Sequence, residues 1–257
     1  MSDDAHSQPG GDTAAGLNVT PGRKLAAGRD ADVFEVDGPN SGRVLRRDRN
    51  GRSSEREAEI LRQARAHGYP APAVYDVRGP DLVMERVTGP TMLREIGSKP
   101  WTVWQHARTL ARLHRQLAKI PPLDWMTTFP PAETSRTAPA TGGALLHLDL
   151  HPDNVILSPR GPVAIDWSSA KRGEVSAAVA LTWVIMATSE ISDTGVRHVL
   201  VMLIRRLLVS EFLRHSDKTG ALRQLPAVAG FRLADRNVRP GEQQAIRALL
   251  RRHGLTV

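Results

Sequence analysis

The stretch His147-Leu148-Asp149-Leu150-His151-Pro152-Asp153-Asn154, followed by Ala164-Ile165-Asp166-Trp167, decides how this chain is read. It sets out a carboxylate, an amide five residues later, and a second carboxylate at the end of a short apolar run. Phosphoryl transfer needs such a set: one carboxylate orients the attacking hydroxyl and accepts its proton, and oxygen ligands hold the metal that neutralises the phosphates. Carboxylate and amide oxygens suit a hard ion such as Mg2+. Asp149 is therefore the candidate base, and Asn154 and Asp166 are the candidate metal ligands. A rival set can be drawn from the same residues. His147, Asp149 and His151 alternate, so on a strand they would share one face and could bind the zinc of a metal-dependent hydrolase. That reading has no second ligand cluster downstream and leaves Asn154 and Asp166 without a role.

H-x-D with Asn five residues on, and an acid after the next strand, resembles the protein-kinase catalytic loop. The wording HLDLHPDN and IDW is similar to the aminoglycoside phosphotransferase and choline kinase family rather than to protein kinases, and the resemblance covers nearly the whole chain after about residue 20. No A-P-E-like segment follows Asp166, and Ser168 to Gly173 run directly towards an apolar helix, so a small acceptor fits better than a protein. The resemblance implies an α+β, bilobal, protein-kinase-like fold with a small β-rich N-lobe and a larger helical C-lobe. It implies transfer of the γ-phosphate of ATP, or GTP, with Mg2+, to a small-molecule hydroxyl. An aminoglycoside-like antibiotic is the family-level expectation for that acceptor; a sugar, an amino alcohol or a less charged antibiotic is equally compatible. A catalytically weak pseudokinase or nucleotide-binding module stays open as an alternative.

Residue by residue, Leu25 to Phe34 resembles the loop that covers the phosphates, with Gly28 as its one glycine. Val44-Leu45-Arg46-Arg47 stands where the family has its phosphate-binding lysine strand; Arg46 takes the lysine position, with Arg47 as a substitute. Glu57 would pair with that cation, although Ser54-Glu55-Arg56-Glu57 also fits a capping box and Glu59 is a rival. Leu82 to Val87 resembles the hinge, where backbone groups of Met84, Glu85 and Val87 would meet the purine; plain core packing is the other reading of Met84. Two departures stand out. Leu148 replaces the glycine of the family's H-G-D, and Ala178 lies near a position that often carries aspartate.

Working outward, four β-branched or aromatic stretches separated by turns make residues 19–90 a β lobe with one helix, Ser53 to His67, stopped by Gly68 and Pro70. Residues 91–257 form the helical lobe that carries the catalytic and acceptor sites. Val103, Ala107, Leu110, Leu113 and Leu117 predict one face of a long helix. Residues 120–143 predict a loop, and Ala144 to Leu148 and Val163 to Ile165 two short strands. Residues 175–187 predict a helix buried all round, and Val196 to Leu208 an amphipathic helix with Arg205 and Arg206 off its apolar face. A last helix is expected after Arg239-Pro240-Gly241-Glu242, ending near Gly254.

The whole sequence bounds the rest. Its 257 residues contain no cysteine, which excludes disulfides and thiolate metal sites. No apolar run is long enough to cross a bilayer, and residues 1–18 read as a disordered tail without a signal-peptide core; a cytoplasmic protein is expected. The net charge of +8 is spread over the chain without a run of five basic residues, so no nucleic-acid partner is expected. Oligomeric state is not legible.

Overall fold

The computed structural model describes residues 19–28, 30–36, 41–131, 143–190 and 195–256. The expected tail over 1–18, the turn at Asp37 to Pro39 and residues 132–142 of the expected loop lie outside them.

The N-terminal part is a five-stranded sheet. Its strands are β1 (Pro21–Ala27), β2 (Ala31–Val36), β3 (Arg43–Asp48), β4 (Val74–Arg78) and β5 (Asp81–Glu85), in the order β1-β2-β3-β5-β4. Every pairing is antiparallel. Helix α1 (Glu55–Ala66) is inserted between β3 and β4. It buries Ala58, Ile60, Leu61 and Ala64, which recur at helical spacing, and it ends where Gly68 takes a φ of 73°. Fully burying an Ile or Leu side chain contributes about 1.5–3 kcal/mol, so this stripe is what holds α1 against the sheet. One strand escaped the sequence reading. Leu25 to Ala27, read as loop, belong to β1, whose alternation is hidden because most of its residues face water.

The larger part is helical: α2 (Met92–Ser98), α3 (Val103–Leu117), α4 (Val175–Thr188), α5 (Gly195–Arg214), α6 (Lys218–Ala234) and α7 (Pro240–Arg252). All five residues of the predicted stripe on α3 are buried, and α4 is buried on almost every side. Between α3 and α4 lie β6 (Thr128–Phe129), β7 (Ala144–Leu146), β8 (Val155–Ser158), β9 (Gly161–Ala164) and β10 (Lys171–Gly173). The two expected strands in this region form, but each ends early and they do not pair with each other. β7 pairs with β10, which also carries β6, while β9 closes a hairpin with β8. β6 falls inside the stretch read as loop.

Two expectations are corrected in the helical part. α6 was not foreseen: Ala221, Leu225, Val228 and Ala229 give it a buried face, but Pro226 in its interior reads as a helix stop. The apolar face expected on α5 is buried only towards its C-terminal end, at Leu208, Phe212 and Leu213; Val196, Val199, Leu200 and Leu203 stand in solvent. α5 is anchored by its later turns, through the Arg108–Glu211 pair at 3.0 Å and Arg115 on the His215 carbonyl. Arg205 turns inward and donates to the Ala187 and Ser189 carbonyls at the end of α4. Among the described residues no helix is long and apolar enough to cross a membrane.

Candidate active site

β3 alternates, and the alternation separates its two arginines. Arg46 points inward, 7% exposed, and its Nη1 lies 3.0 Å from a Glu57 carboxylate oxygen on α1. Arg47 points outward and forms a two-pronged pair with Asp81 at 2.6 and 2.7 Å, so it is no substitute for Arg46. The capping-box reading of Glu57 is not realised: Ser54 gives α1 no side-chain cap, and its hydroxyl donates to the Pro80 carbonyl. The rival Glu59 accepts from the Trp125 indole N–H at 2.8 Å. Burial pushes the Glu57 carboxyl up to about 7, against the pull of Arg46 and helped by the negative charge of Asp166. Arg46 Nη2 reaches to 3.9 Å from Asp166, so one guanidinium joins β3, α1 and the loop after β9.

The energetics of this pair are testable. Removing one partner of a buried ion pair leaves the other uncompensated, a loss of about 3 kcal/mol. Arg46→Met should therefore lower the unfolding free energy by about that amount in chelator-treated protein. The loss should grow from pH 5 to pH 8, because the folded wild type releases the Glu57 proton at about 7 with Arg46 beside it, while the folded variant, lacking that cation, keeps it to higher pH. Urea titration at the two pH values measures it; equal losses at both would refute the electrostatic account.

The 147–154 segment is not a strand. Leu148 adopts a φ of 61°, and Pro152–Asn154 form a single 3-10 turn. A left-handed residue costs about 1–2 kcal/mol. Leu148 is 7% exposed, and burial of its side chain, worth about 1.5–3 kcal/mol, offsets that strain. This explains how a leucine can stand at a position where glycine would be at ease. His147 is fully buried; its Nε2–H donates to the Ile165 carbonyl at 2.9 Å, and its Nδ1 accepts from the Asp149 N–H at 3.3 Å. Burial holds its pKa below the usual histidine value, so it is neutral. With both nitrogens engaged, His147 cannot join His151 on a zinc ion. Among the described residues no group of three His, Asp or Glu is placed to hold a metal, and the hydrolase reading loses its ligand set.

Asp149 and Asn154 meet across the turn. Asn154 Nδ2 donates to both the backbone carbonyl and Oδ2 of Asp149 at 2.9 Å, and His151 Nε2 stands 3.4 Å from Oδ1. Burial raises the Asp149 pKa, but His151, His147 and Asn154 together outweigh it, and the carboxyl stays below the usual range. Asp149 is thus ionised at neutral pH. Because the Asn154 amide nitrogen is committed to Asp149, its Oδ1 is the atom left for a cation. Asp166, at a φ of 62°, accepts from the Ser168 hydroxyl at 2.9 Å.

Three cavities meet around these groups. One of about 510 Å³, between the sheet and the helical part, is lined by Gly28, Arg46, Met84, Glu85, Val87, Asn154 and Asp166. Ile156 and Ile165 line it too, as does Asp153. The Glu85 carboxylate is occupied elsewhere, by Arg160 at 2.5 Å and the Ala73 N–H at 3.1 Å, and its backbone N–H donates to the Ala73 carbonyl at 2.8 Å, so neither is free to meet a ligand. Glu57 lies outside this cavity and lines a neighbouring one with Arg46. Asp149 lines a third, of about 820 Å³, and Asp153 belongs to both the first and the third. The third cavity gathers Glu190, Asp235 and Glu242. Each is held by an arginine: Arg239 on Glu190 at 2.9 Å, and Arg232 on Glu242 and Asp235 at 3.0 and 3.3 Å. Asp153, Asp235 and Glu242 were missed because their only sequence signal is charge, with nothing in the spacing to bring them together.

Residues 21–142 match the model of the phosphotransferase enzyme family, a stretch that ends before His147. No curated protein matches the chain by sequence. Among solved structures, a thermostable mutant of aminoglycoside phosphotransferase APH(4)-Ia, in a ternary complex with AMP-PNP and hygromycin B, is similar with a TM-score of 0.65 at 15% identity, covering 91% of this chain and 94% of that one. ADP-bound aminoglycoside phosphotransferase APH(2'')-Ib matches with a TM-score of 0.54 at 14% identity, over 90% and 93% of the two chains. Amicoumacin kinase hAmiN, in complex with AMP-PNP, Ca2+ and Ami, matches with a TM-score of 0.54 at 12% identity, over 91% and 87%. These findings support a phosphotransferase, and the chain has the α+β, protein-kinase-like fold of the aminoglycoside phosphotransferases, the family its sequence resembles.

Proposed function

We propose that this protein transfers the γ-phosphoryl group of ATP or GTP to a hydroxyl of a small molecule, in the cytoplasm. The observation that carries the reading is the junction at Asp153: Asn154, Asp166 and Arg46 face one cavity, and Asp149 faces the next. Residues 19–90 act as the nucleotide lobe and residues 91–257 supply the catalytic loop and acceptor site. Backbone groups of Met84, Glu85 and Val87 meet the purine base. Gly28 covers the phosphates; a side chain there would crowd the Ala31 carbonyl at 3.0 Å. Arg46, kept in place by Glu57, neutralises phosphate charge bidentately, a role its planar fork suits. Asn154 Oδ1 and the Asp166 carboxylate would hold Mg2+, which when bound offsets charge on the phosphate oxygens. Asp149 orients the acceptor hydroxyl and takes its proton as the new P–O bond forms, while the β-phosphate oxygen leaves with the bonding electrons.

A polycationic acceptor needs uncompensated carboxylates. Because arginines hold Glu190, Asp235 and Glu242, a sugar, an amino alcohol or a weakly charged antibiotic is favoured over an aminoglycoside. Thermal-shift measurements with ATP and GTP, with and without Mg2+ and with zinc and chelator controls, test the nucleotide half of the proposal. Stabilisation by a nucleoside triphosphate should be larger with Mg2+; at a hundredfold excess over Kd, ligand binding adds about 2.7 kcal/mol to stability. Stabilisation by zinc alone would sink the reading.

A further inference from the structure

The loop that bears Asp149 is held from beneath by two residues that line neither the nucleotide cavity nor the Asp149 cavity. Thr182, on α4, donates its hydroxyl hydrogen to the Leu150 carbonyl at 2.9 Å. A hydroxyl has one hydrogen, so the contact between Thr182 Oγ1 and His114 Nε2 at 3.1 Å requires the histidine to donate. The relay therefore runs His114 Nε2–H to Thr182 O–H to the Leu150 carbonyl. His114 and Thr182 are 1% and 2% exposed. Burial pushes the His114 pKa down to about 3, so the ring is neutral as the relay needs. Among the described residues its Nδ1 has no hydrogen-bond partner. Phe212 of α5 packs on the ring at 5.5 Å.

The loop needs such a tether. Leu148 is strained at a φ of 61°, and the Asp149 N–H has only a 3.3 Å contact to His147. Ala178, near the place where the resemblance expects an aspartate, sits one turn before Thr182 on α4, and its side chain has no polar atom to offer. We propose that Thr182, oriented by His114, is the positioning residue for Asp149. The effect on turnover rests on the phosphotransferase reading; the effect on the loop does not.

The test uses Thr182→Val, which keeps the shape and deletes the donor, and Thr182→Ser, which restores it. Two quantities are read: hydrolysis of Mg-ATP with water as acceptor, and hydrogen–deuterium exchange of backbone amides over residues 147–154. Thr182→Val should lower kcat by about 10- to 100-fold with KM for ATP within about twofold, since small misplacement of a reacting group costs that much. Exchange over the loop should quicken about fivefold or more. Thr182→Ser should keep at least half the wild-type rate. A wild-type rate in Thr182→Val, or a Ser variant as impaired as Val, would overturn the proposal. If the wild-type protein turns over no nucleotide, the phosphotransferase reading fails, and exchange alone decides: unchanged exchange in Thr182→Val removes the tether. Should Thr182→Val not fold, His114→Phe is read in its place and should quicken the same amides.

Discussion

Replacing Asp149 with Asn should reduce phosphoryl transfer about 10³-fold, the usual worth of a positioned general base. Asn keeps the shape of Asp149 and an oxygen for the Asn154 amide to donate to, so the loop should persist. It has no basic oxygen to take a proton. Asp149 does not line the nucleotide cavity, so the affinity for a nucleoside triphosphate should stay within about twofold. Steady-state rates at saturating nucleotide, with water or the first acceptor found in a hydroxyl-compound screen, measure the one; calorimetry measures the other. Undiminished turnover in the variant would remove Asp149 from its role.

The second large effect is expected from Asp166→Asn. Asparagine accepts a left-handed backbone as readily as aspartate, so the φ of 62° should survive the change. What disappears is the anionic ligand. Turnover should fall on the order of 10³-fold, equivalent to the several kcal/mol that a well-held metal supplies. The separate signature is in binding: the gain in nucleotide affinity on adding Mg2+ that is expected of the wild type should be lost. If affinity still rises with Mg2+ as in the wild type, the ligand must be sought elsewhere, with Asp153 the next candidate by position.

Much of the fold was legible because its elements have strong periods. The stripe from Val103 to Leu117 and the all-round apolar run of α4 each left one reading, and both helices stand where expected. The site was legible to the extent that its groups are close in sequence: Asp149 and Asn154 meet because five residues make one turn. Arg46 and Glu57 were nominated by resemblance, and their contact depends on how α1 lies on the sheet, which no local pattern states. The acidic side chains around Asp149 were not legible, because α4, α7 and the chain after α6 must fold together before Glu190, Asp235 and Glu242 become neighbours. Thr182 gave no signal at all. A threonine in a buried helix ordinarily bonds back to its own helix, and only the tertiary contact to Leu150 sets this one apart.

The left-handed leucine carries a consequence for how this protein can diversify. Leu148 both bears the strain of its backbone and forms part of the wall beside Asp149. Change there is channelled. β-Branched residues are shut out by the dihedral angle, while glycine and asparagine are admitted by it. Either admitted residue relaxes the turn, gives up buried apolar area and widens the room for an acceptor in the same step. A lineage drifting through this position would exchange robustness of the folded state for a broader choice of molecules to modify, with one codon controlling both.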